Sequence, residues 1–221
     1  MAPTINIPVT EDRFQTFWRK VYQLYLDHQT GFLVAVAGVV AIGLAVWGWT
    51  AFQSYREAQA WLDYETVLVK ISQEPPEQAQ EQAVTELQGL LQRRPGSKAA
   101  DQARLELAAL AVERDDFEGA IQYYLAFRES LERDDPMRPA VADALGHCFE
   151  SAGKLEEAAQ WYTTVSLNES LADLGLWNLG RVQEMAGKEE EARATYQKLL
   201  DNHPQSEYSS RAYDRLVGLK G

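Results

Sequence analysis

The hydrophobic pattern of this chain changes abruptly near its N-terminus. Residues 31–52 run for 22 positions without a charged side chain, whereas the positions on either side mix apolar and polar residues. As an α-helix this stretch is about 33 Å long, which exceeds the roughly 30 Å hydrocarbon core of a bilayer. The pattern therefore predicts one membrane-spanning helix, with residues 31–53 as the anchor.

The flanks of this stretch favour a retained anchor over a cleaved signal. The stretch begins only after thirty residues and is longer than the apolar region of a signal peptide. Trp47-Gly48-Trp49-Thr50 stands where a cleavage site would place small residues. Aromatic residues, which favour membrane interfaces, lie on both sides. They are Trp18, Tyr22 and Tyr25 before the stretch, and Trp47, Trp49 and Tyr55 at its end.

Residues 11–27 predict a separate amphipathic helix within an N-terminal arm of residues 1–30. Thr10 is suited to cap this helix, and Glu11 and Asp12 would occupy its first turn. Its apolar side chains recur at helical spacing on one face, namely Phe14, Phe17, Trp18, Val21 and Tyr25. We expect an interfacial helix that leads into the span, and a helix that binds a protein partner is the alternative.

The C-terminal residues 54–221 contain a repeat with a period of 34. Its best copies are Leu145-Gly146, Gly153, Ala158 and Tyr162, followed by Leu179-Gly180, Gly187, Ala192 and Tyr196. We predict that Gly146 and Gly180 let the two helices of a unit pack closely, and that Gly153 and Gly187 lie in left-handed turns. The period and spacing resemble the tetratricopeptide repeat, a helix–turn–helix unit.

Weaker copies of the repeat precede these two. Ala120 lies 38 residues before Ala158, and residues 83–95 have the spacing of a second helix whose first helix would cover residues 54–71. Gln73-Glu74-Pro75-Pro76 separates those two helices, and residues 206–219 predict a capping helix. The predicted fold is therefore all-α, with a single transmembrane helix followed by an α-solenoid of roughly four tetratricopeptide-like helix pairs and a cap.

The order of these parts resembles the bacterial ancillary subunit of the Sec translocon. The segments 58–64, AQAWLDY, and 103–108, ARLELA, are similar to that family's pattern. The resemblance implies a repeat domain in the periplasm that works with chaperones at the translocon. Residues 196–206, YQKLLDNHPQS, resemble envelope repeat proteins of cell-division and outer-membrane assembly systems, which keeps an oligomeric envelope organiser as the alternative.

The charge distribution limits the classes of partner and predicts the orientation of the chain in the membrane. The net charge is −12, and residues 1–30 and the span contribute none of it. An acidic domain is unsuited to nucleic acid, whose phosphates need a basic surface. Arg13, Arg19 and Lys20 precede the span and only Arg56 follows it closely. The positive-inside rule then predicts a single-pass protein of the bacterial inner membrane, with its N-terminus in the cytoplasm and its C-terminal domain in the periplasm.

The sequence offers no catalytic constellation, and we predict a protein that is not an enzyme and holds no metal or cofactor. It lacks a phosphate-binding glycine loop, an HExxH motif and a nucleophile elbow. Cys148 is the only cysteine, and its place in the repeat predicts core packing. An enzyme whose site is assembled from distant residues is a third, separate hypothesis.

First helices of tetratricopeptide units line a groove, and their exposed positions form the predicted binding face. We call this set the first-helix face: Leu105, Ala109, Val112, Asp143, His147, Glu150, Trp177, Arg181 and Glu184. Trp177 is the predicted partner anchor, with packing under the capping helix as the alternative. Within the span, Ala37, Ala41 and Ala45 recur every four residues, a spacing that favours helix pairing and a homo-oligomer.

Overall fold

A computed structural model describes residues 13–27, 29–73 and 75–219, and these residues form α-helices and no strands. The all-α prediction is therefore confirmed. The helices are α1 (Arg13–Asp27), α2 (Gln29–Gln73), α3 (Pro76–Arg93), α4 (Lys98–Glu113), α5 (Phe117–Ser130), α6 (Arg138–Ser151), α7 (Leu155–Ser166), α8 (Ala172–Met185), α9 (Glu189–Asn202) and α10 (Glu207–Gly218).

The chain divides into two compact units, Met1–Arg56 and Glu57–Gly221. In the first, helix α1 covers the predicted amphipathic segment, while Thr10, Glu11, Asp12 and His28 lie outside the described residues. No residue of the apolar window of α2 is buried, and Trp47 shows 70% of its surface. This one helix among the described residues is long and apolar enough to cross a membrane or to act as a signal sequence.

The second unit begins with the C-terminal part of α2, which pairs with α3 as predicted. Ala60 and Val67 are buried in one cluster with Leu87 and Leu90 of α3 and Leu107 of α4. Helix α3 then starts on Pro76, where a proline needs no backbone donor and its fixed φ suits the first turn. The predicted break is therefore present, although Glu74 lies outside the described residues.

Helices α4 to α9 form three further antiparallel pairs, each closed by a tight turn with one left-handed residue. The residue is Gly153 in the α6–α7 turn, at φ 74°, and Gly187 in the α8–α9 turn, at φ 72°. Glycine adopts this conformation without the steric cost that a Cβ brings, which confirms the prediction for both. The weaker α4–α5 unit places Asp115 there instead, at φ 57°.

Close helix packing within a unit depends on glycine at two positions. A Cβ added to Gly146 would lie 2.8 Å from Cδ1 of the Tyr162 ring, and one added to Gly180 would lie 2.8 Å from Cδ1 of Tyr196. Both tyrosines are fully buried, so neither ring has free space to move into. These contacts confirm the predicted role of the two glycines. Cys148 is buried in the core as predicted.

Helix α10 closes the C-terminal end of the stack. It contacts both α8 and α9, and it buries Ala212 and Leu216 in a cluster with Leu199 of α9. Ser206 caps its N-terminus, since the hydroxyl oxygen accepts a hydrogen bond from the backbone N–H of Tyr208 at 3.1 Å. Pro204 follows the end of α9, so the predicted second-helix stop and the capping helix are both present.

Candidate functional site

Glu150 of α6 is the centre of a polar network that joins two repeat units. Its carboxylate accepts a 2.8 Å hydrogen bond from the Tyr162 hydroxyl of α7. It also accepts two hydrogen bonds from the guanidinium of Arg181 on α8, one of them at 2.7 Å. Burial alone would raise the pKa of Glu150, but the donors on Arg181 and Tyr162 outweigh it and hold the pKa below its usual value. The carboxylate therefore stays ionised and links α6, α7 and α8.

His147 extends this network toward the N-terminal end of α6. Its Nε2 lies 3.5 Å from a carboxylate oxygen of Asp143, and its Nδ1 lies 3.0 Å from the hydroxyl of Tyr162. The bond to Asp143 raises the pKa of His147, and burial opposes it only in part. In the protonated ring both nitrogens donate, to Asp143 and to Tyr162, while Tyr162 donates to Glu150. The same Asp143 accepts a 3.1 Å hydrogen bond from Asn178 of α8, which adds a second link between the units.

The next unit repeats the carboxylate–arginine link 34 residues later. The carboxylate of Glu184 on α8 accepts two hydrogen bonds from the guanidinium of Arg215 on α10, one of them at 3.1 Å. The copy differs at its tyrosine, because the buried hydroxyl of Tyr196 lies close to Glu184 and Arg215 but forms no hydrogen bond of normal geometry with a described residue. Burial, together with the nearby Glu184 carboxylate, raises the pKa of Tyr196. Arg215 is therefore the main hydrogen-bond partner of the Glu184 carboxylate.

Trp177 lies between the second helix of its unit and the capping helix, and it is partly buried. Its ring stacks on Tyr208 of α10, with centroids 6.3 Å apart and planes 13° apart. The Tyr196 ring lies 5.8 Å away on α9. These are the contacts expected from the alternative interpretation, in which Trp177 packs under the cap. Its use as a partner anchor stays a prediction.

The N-terminal part of the first-helix face is apolar. Leu105 is partly buried against a core cluster that contains Ala111 and Leu145, so it supports the fold more than it faces solvent. Ala109 is exposed and Val112 shows 37% of its surface. The structure thus places accessible small apolar groups on α4 and internally paired charges on α6 and α8.

Sequence reasoning names the charged residues of the face but not the tyrosines that connect them. The sequence marks Tyr162 and Tyr196 only as repeat positions. The missed signal is a glutamate twelve residues before each tyrosine and an arginine nineteen residues after it, as in Glu150, Tyr162 and Arg181. Because these positions recur at the same offset, the glutamate–arginine pairing across units is readable from the repeat, whereas the tyrosine hydrogen bond forms only in the first copy.

The comparisons with known proteins bear on the fold as a whole. The family model of the tetratricopeptide repeat-like domain matches residues 28–220. The chain belongs to the tetratricopeptide repeat-like domain family. No individual curated protein matches it in a sequence comparison.

Tetratricopeptide repeat-like domains are generally protein-interaction modules, and they present extended binding surfaces. Within the described residues, no three His, Cys, Asp or Glu side chains lie close enough to hold a metal ion. The first-helix face is therefore a candidate protein-interaction surface of a tetratricopeptide repeat-like domain.

Proposed function

We propose that this protein is a membrane-anchored, non-enzymatic scaffold whose first-helix face binds protein partners. The observation that carries the proposal is the pair of links Glu150–Arg181 and Glu184–Arg215, which fix first helix α6 to first helix α8 and α8 to the capping helix α10. A surface fixed before binding loses less side-chain freedom when a partner docks. The family match supports an interaction role, and the exposed apolar part of α2 supports the anchor.

The surface chemistry favours apolar and hydrogen-bonding contacts with the partner. The carboxylates of Glu150 and Glu184 already have arginine partners, so little net charge remains at those positions. Ala109 and Val112 offer exposed apolar area on α4. A partner segment with small apolar side chains fits this arrangement better than a strongly basic one.

For location and partners, the proposal is a single-pass protein of the bacterial inner membrane that works at the Sec translocon with periplasmic chaperones. Support comes from the basic residues before the span, which include Arg19 and Lys20, and from the resemblance of the chain to the ancillary translocon subunit. Helix α1 would lie in the membrane interface, because a single residue separates it from α2 and its Phe17 and Tyr22 are exposed.

Site-specific photo-crosslinking in intact cells tests the binding face. A photoreactive residue at Ala109, an exposed alanine on first helix α4, should capture Sec or chaperone components. The matched control is Ala194, an exposed alanine on second helix α9. Equal capture at the two positions, or capture at neither, would contradict the proposed face.

Protease added to intact spheroplasts tests the orientation separately. Residues 57–221 should be degraded from outside if the domain is periplasmic. Protection until lysis would reverse the topology and direct the search toward cytosolic partners. This outcome would leave the first-helix face itself open to the crosslinking test.

An oligomeric envelope organiser is the second candidate, favoured by one observation in the span. Ala37, Ala41 and Ala45 are exposed on α2, and small residues at this spacing permit close helix approach. Cysteine crosslinking at position 41 should trap a dimer in membranes, whereas a cysteine at Val39 on another face should not. If neither the cysteine at position 41 nor the cysteine at position 39 traps a dimer, this candidate is excluded.

A further inference from the structure

The junction between α5 and α6 gathers arginines that have no carboxylate partner. Several cations elsewhere in the repeat region are paired with carboxylates, as in Arg94–Asp63 at 2.8 Å. Within the described residues, Arg128, Arg133 and Arg138 form no ion pair. Other cations of the domain, such as Arg114, also form no ion pair with a described residue, so what distinguishes these three arginines is that they lie together around one cavity.

These three arginines line one cavity of about 250 Å³. Its wall also includes the hydroxyl-bearing Thr164 of α7 and the amide-bearing Asn168 in the turn that follows. The volume lies below the roughly 300–1,000 Å³ typical of sites for drug-sized molecules. The cavity is therefore suited to a compact group that accepts several hydrogen bonds.

The two partly buried arginines are held in place by groups that leave their charge uncompensated. The guanidinium carbon of Arg128 lies 5.0 Å from the centroid of the Trp161 ring, and its Nε is buried without a hydrogen-bond partner among the described residues. Nη1 of Arg138 donates to the backbone carbonyl of Leu131 at 3.0 Å and to that of Arg128 at 3.3 Å. Burial, and then the repulsion from Arg138, lower the pKa of Arg128. Placing two cations together in this way favours an anion between them.

Two aspartates also border the cavity, and one of them already has a structural role. Asp135 accepts a 2.8 Å hydrogen bond from the backbone N–H of Met137, which stabilises the loop before α6. Asp134 is exposed. Three arginines against two aspartates leave one net positive charge on the lining, in a protein whose net charge is −12.

We propose that this cavity binds a phosphate group, supplied by a soluble phosphate ester or by a phospholipid headgroup. A phosphate carries about −1.5 to −2 charges and three acceptor oxygens. Arginine binds such a group through two parallel hydrogen bonds, and the hydroxyl of Thr164 and the amide of Asn168 in the same lining supply further donors. A carboxylate has only two oxygens and one charge, so it would leave part of this donor set unused.

Calorimetric titration of the detergent-solubilised full chain, in a buffer free of phosphate, tests the site. Inorganic phosphate and glycerol phosphate should bind saturably, and acetate should bind at least about tenfold more weakly. Stronger binding to micelles that contain phosphatidic acid would assign the lipid headgroup as the source, and stronger binding to glycerol phosphate would assign a soluble ester. Absence of saturable binding to all of these probes would overturn the proposal, and acetate binding as tightly as phosphate would overturn the assignment to phosphate.

Three variants connect the binding to the cavity. Arg133→Gln removes an exposed arginine of the lining, and Arg128→Lys keeps the charge but removes the planar fork. Each should weaken phosphate binding about tenfold. The control is Arg114→Gln, which makes the same charge change at an exposed arginine outside the cavity and should leave binding unchanged. Equal weakening by Arg114→Gln and Arg133→Gln would mean that only the overall charge matters, and would overturn the proposed site.

Discussion

Two buried tyrosines allow the contribution of the polar network to stability to be measured, with one tyrosine serving as the control for the other. Tyr162 and Tyr196 occupy the same repeat position, and both are fully buried. The Tyr162 hydroxyl donates to Glu150 at 2.8 Å and lies 3.0 Å from His147 Nδ1. The Tyr196 hydroxyl lies close to Glu184 but forms no hydrogen bond of normal geometry with a described residue. Replacing each by phenylalanine therefore removes the same atom from two different environments.

The expected free-energy changes differ in size and can differ in sign. A hydrogen bond to a charged group contributes about 1.5–3 kcal/mol, so Tyr162→Phe should lower the free energy of unfolding by roughly 1.5 kcal/mol, since Arg181 still holds Glu150. Tyr196→Phe removes a buried hydroxyl whose contact with Glu184 lacks normal hydrogen-bond geometry, so the change should be well below that of Tyr162→Phe, or stabilising by up to about 1 kcal/mol.

Urea unfolding of the full chain in detergent micelles, followed by far-ultraviolet circular dichroism, measures both changes. The slope of the transition should stay constant if the variants alter stability alone. The Tyr162→Phe deficit should also depend on pH. Because the pKa of Glu150 is lowered by folding, this contribution is present above the unfolded pKa and disappears as the pH falls through the folded one. Equal losses for the two variants, or a pH-independent deficit at Tyr162, would refute this account of the network.

Three further predictions concern the turns, the helix contact and the histidine. Gly180→Leu should cost about 1–3 kcal/mol in the same assay, because its side chain would displace a buried ring; an unchanged midpoint would mean that the contact is absent in solution. Gly187→Ala should cost about 1 kcal/mol, because the added Cβ would meet open space but the residue has a φ of 72°. The control Gly96→Ala, whose added Cβ also meets open space, should cost less. Equal losses for the two variants would argue against a left-handed turn at Gly187. The pKa of His147, measured by nuclear magnetic resonance, should lie above its ordinary value of about 6.5, and Asp143→Asn should lower it. The stabilisation from His147 is then present below the unfolded pKa and is lost as the pH rises through the folded one; a titration unaffected by Asp143→Asn would contradict the assigned bond.

The helical elements and their order could be predicted from the sequence because they depend on local chemistry. A 22-residue uncharged run specifies one long apolar helix, and Pro75-Pro76 specifies where the next helix must begin. The glycines at 153 and 187 mark left-handed turns, since other residues enter that conformation at a steric cost. The tetratricopeptide-like fold follows because the same local pattern recurs at a fixed period, so that each unit buries its apolar face against the next.

Which side chains contact one another, among several with the same spacing in the sequence, was decided only by the tertiary structure. Trp177 has the position of a groove residue in the repeat, but it stacks on Tyr208, which lies 31 residues later in a helix outside the repeat. Likewise, the sequence does not reveal that the Tyr162 hydroxyl forms hydrogen bonds of normal geometry while that of Tyr196 does not, because the two tyrosines occupy the same position of the repeat. The arginines at the α5–α6 junction are scattered over eleven residues and become one site only where the loop folds back on α7. Local pattern fixes where helices start and end, and the repeat marks the glutamate–arginine pairs, whereas the stacking of Trp177 and the hydrogen bond of Tyr162 depend on distances that only the packed chain defines.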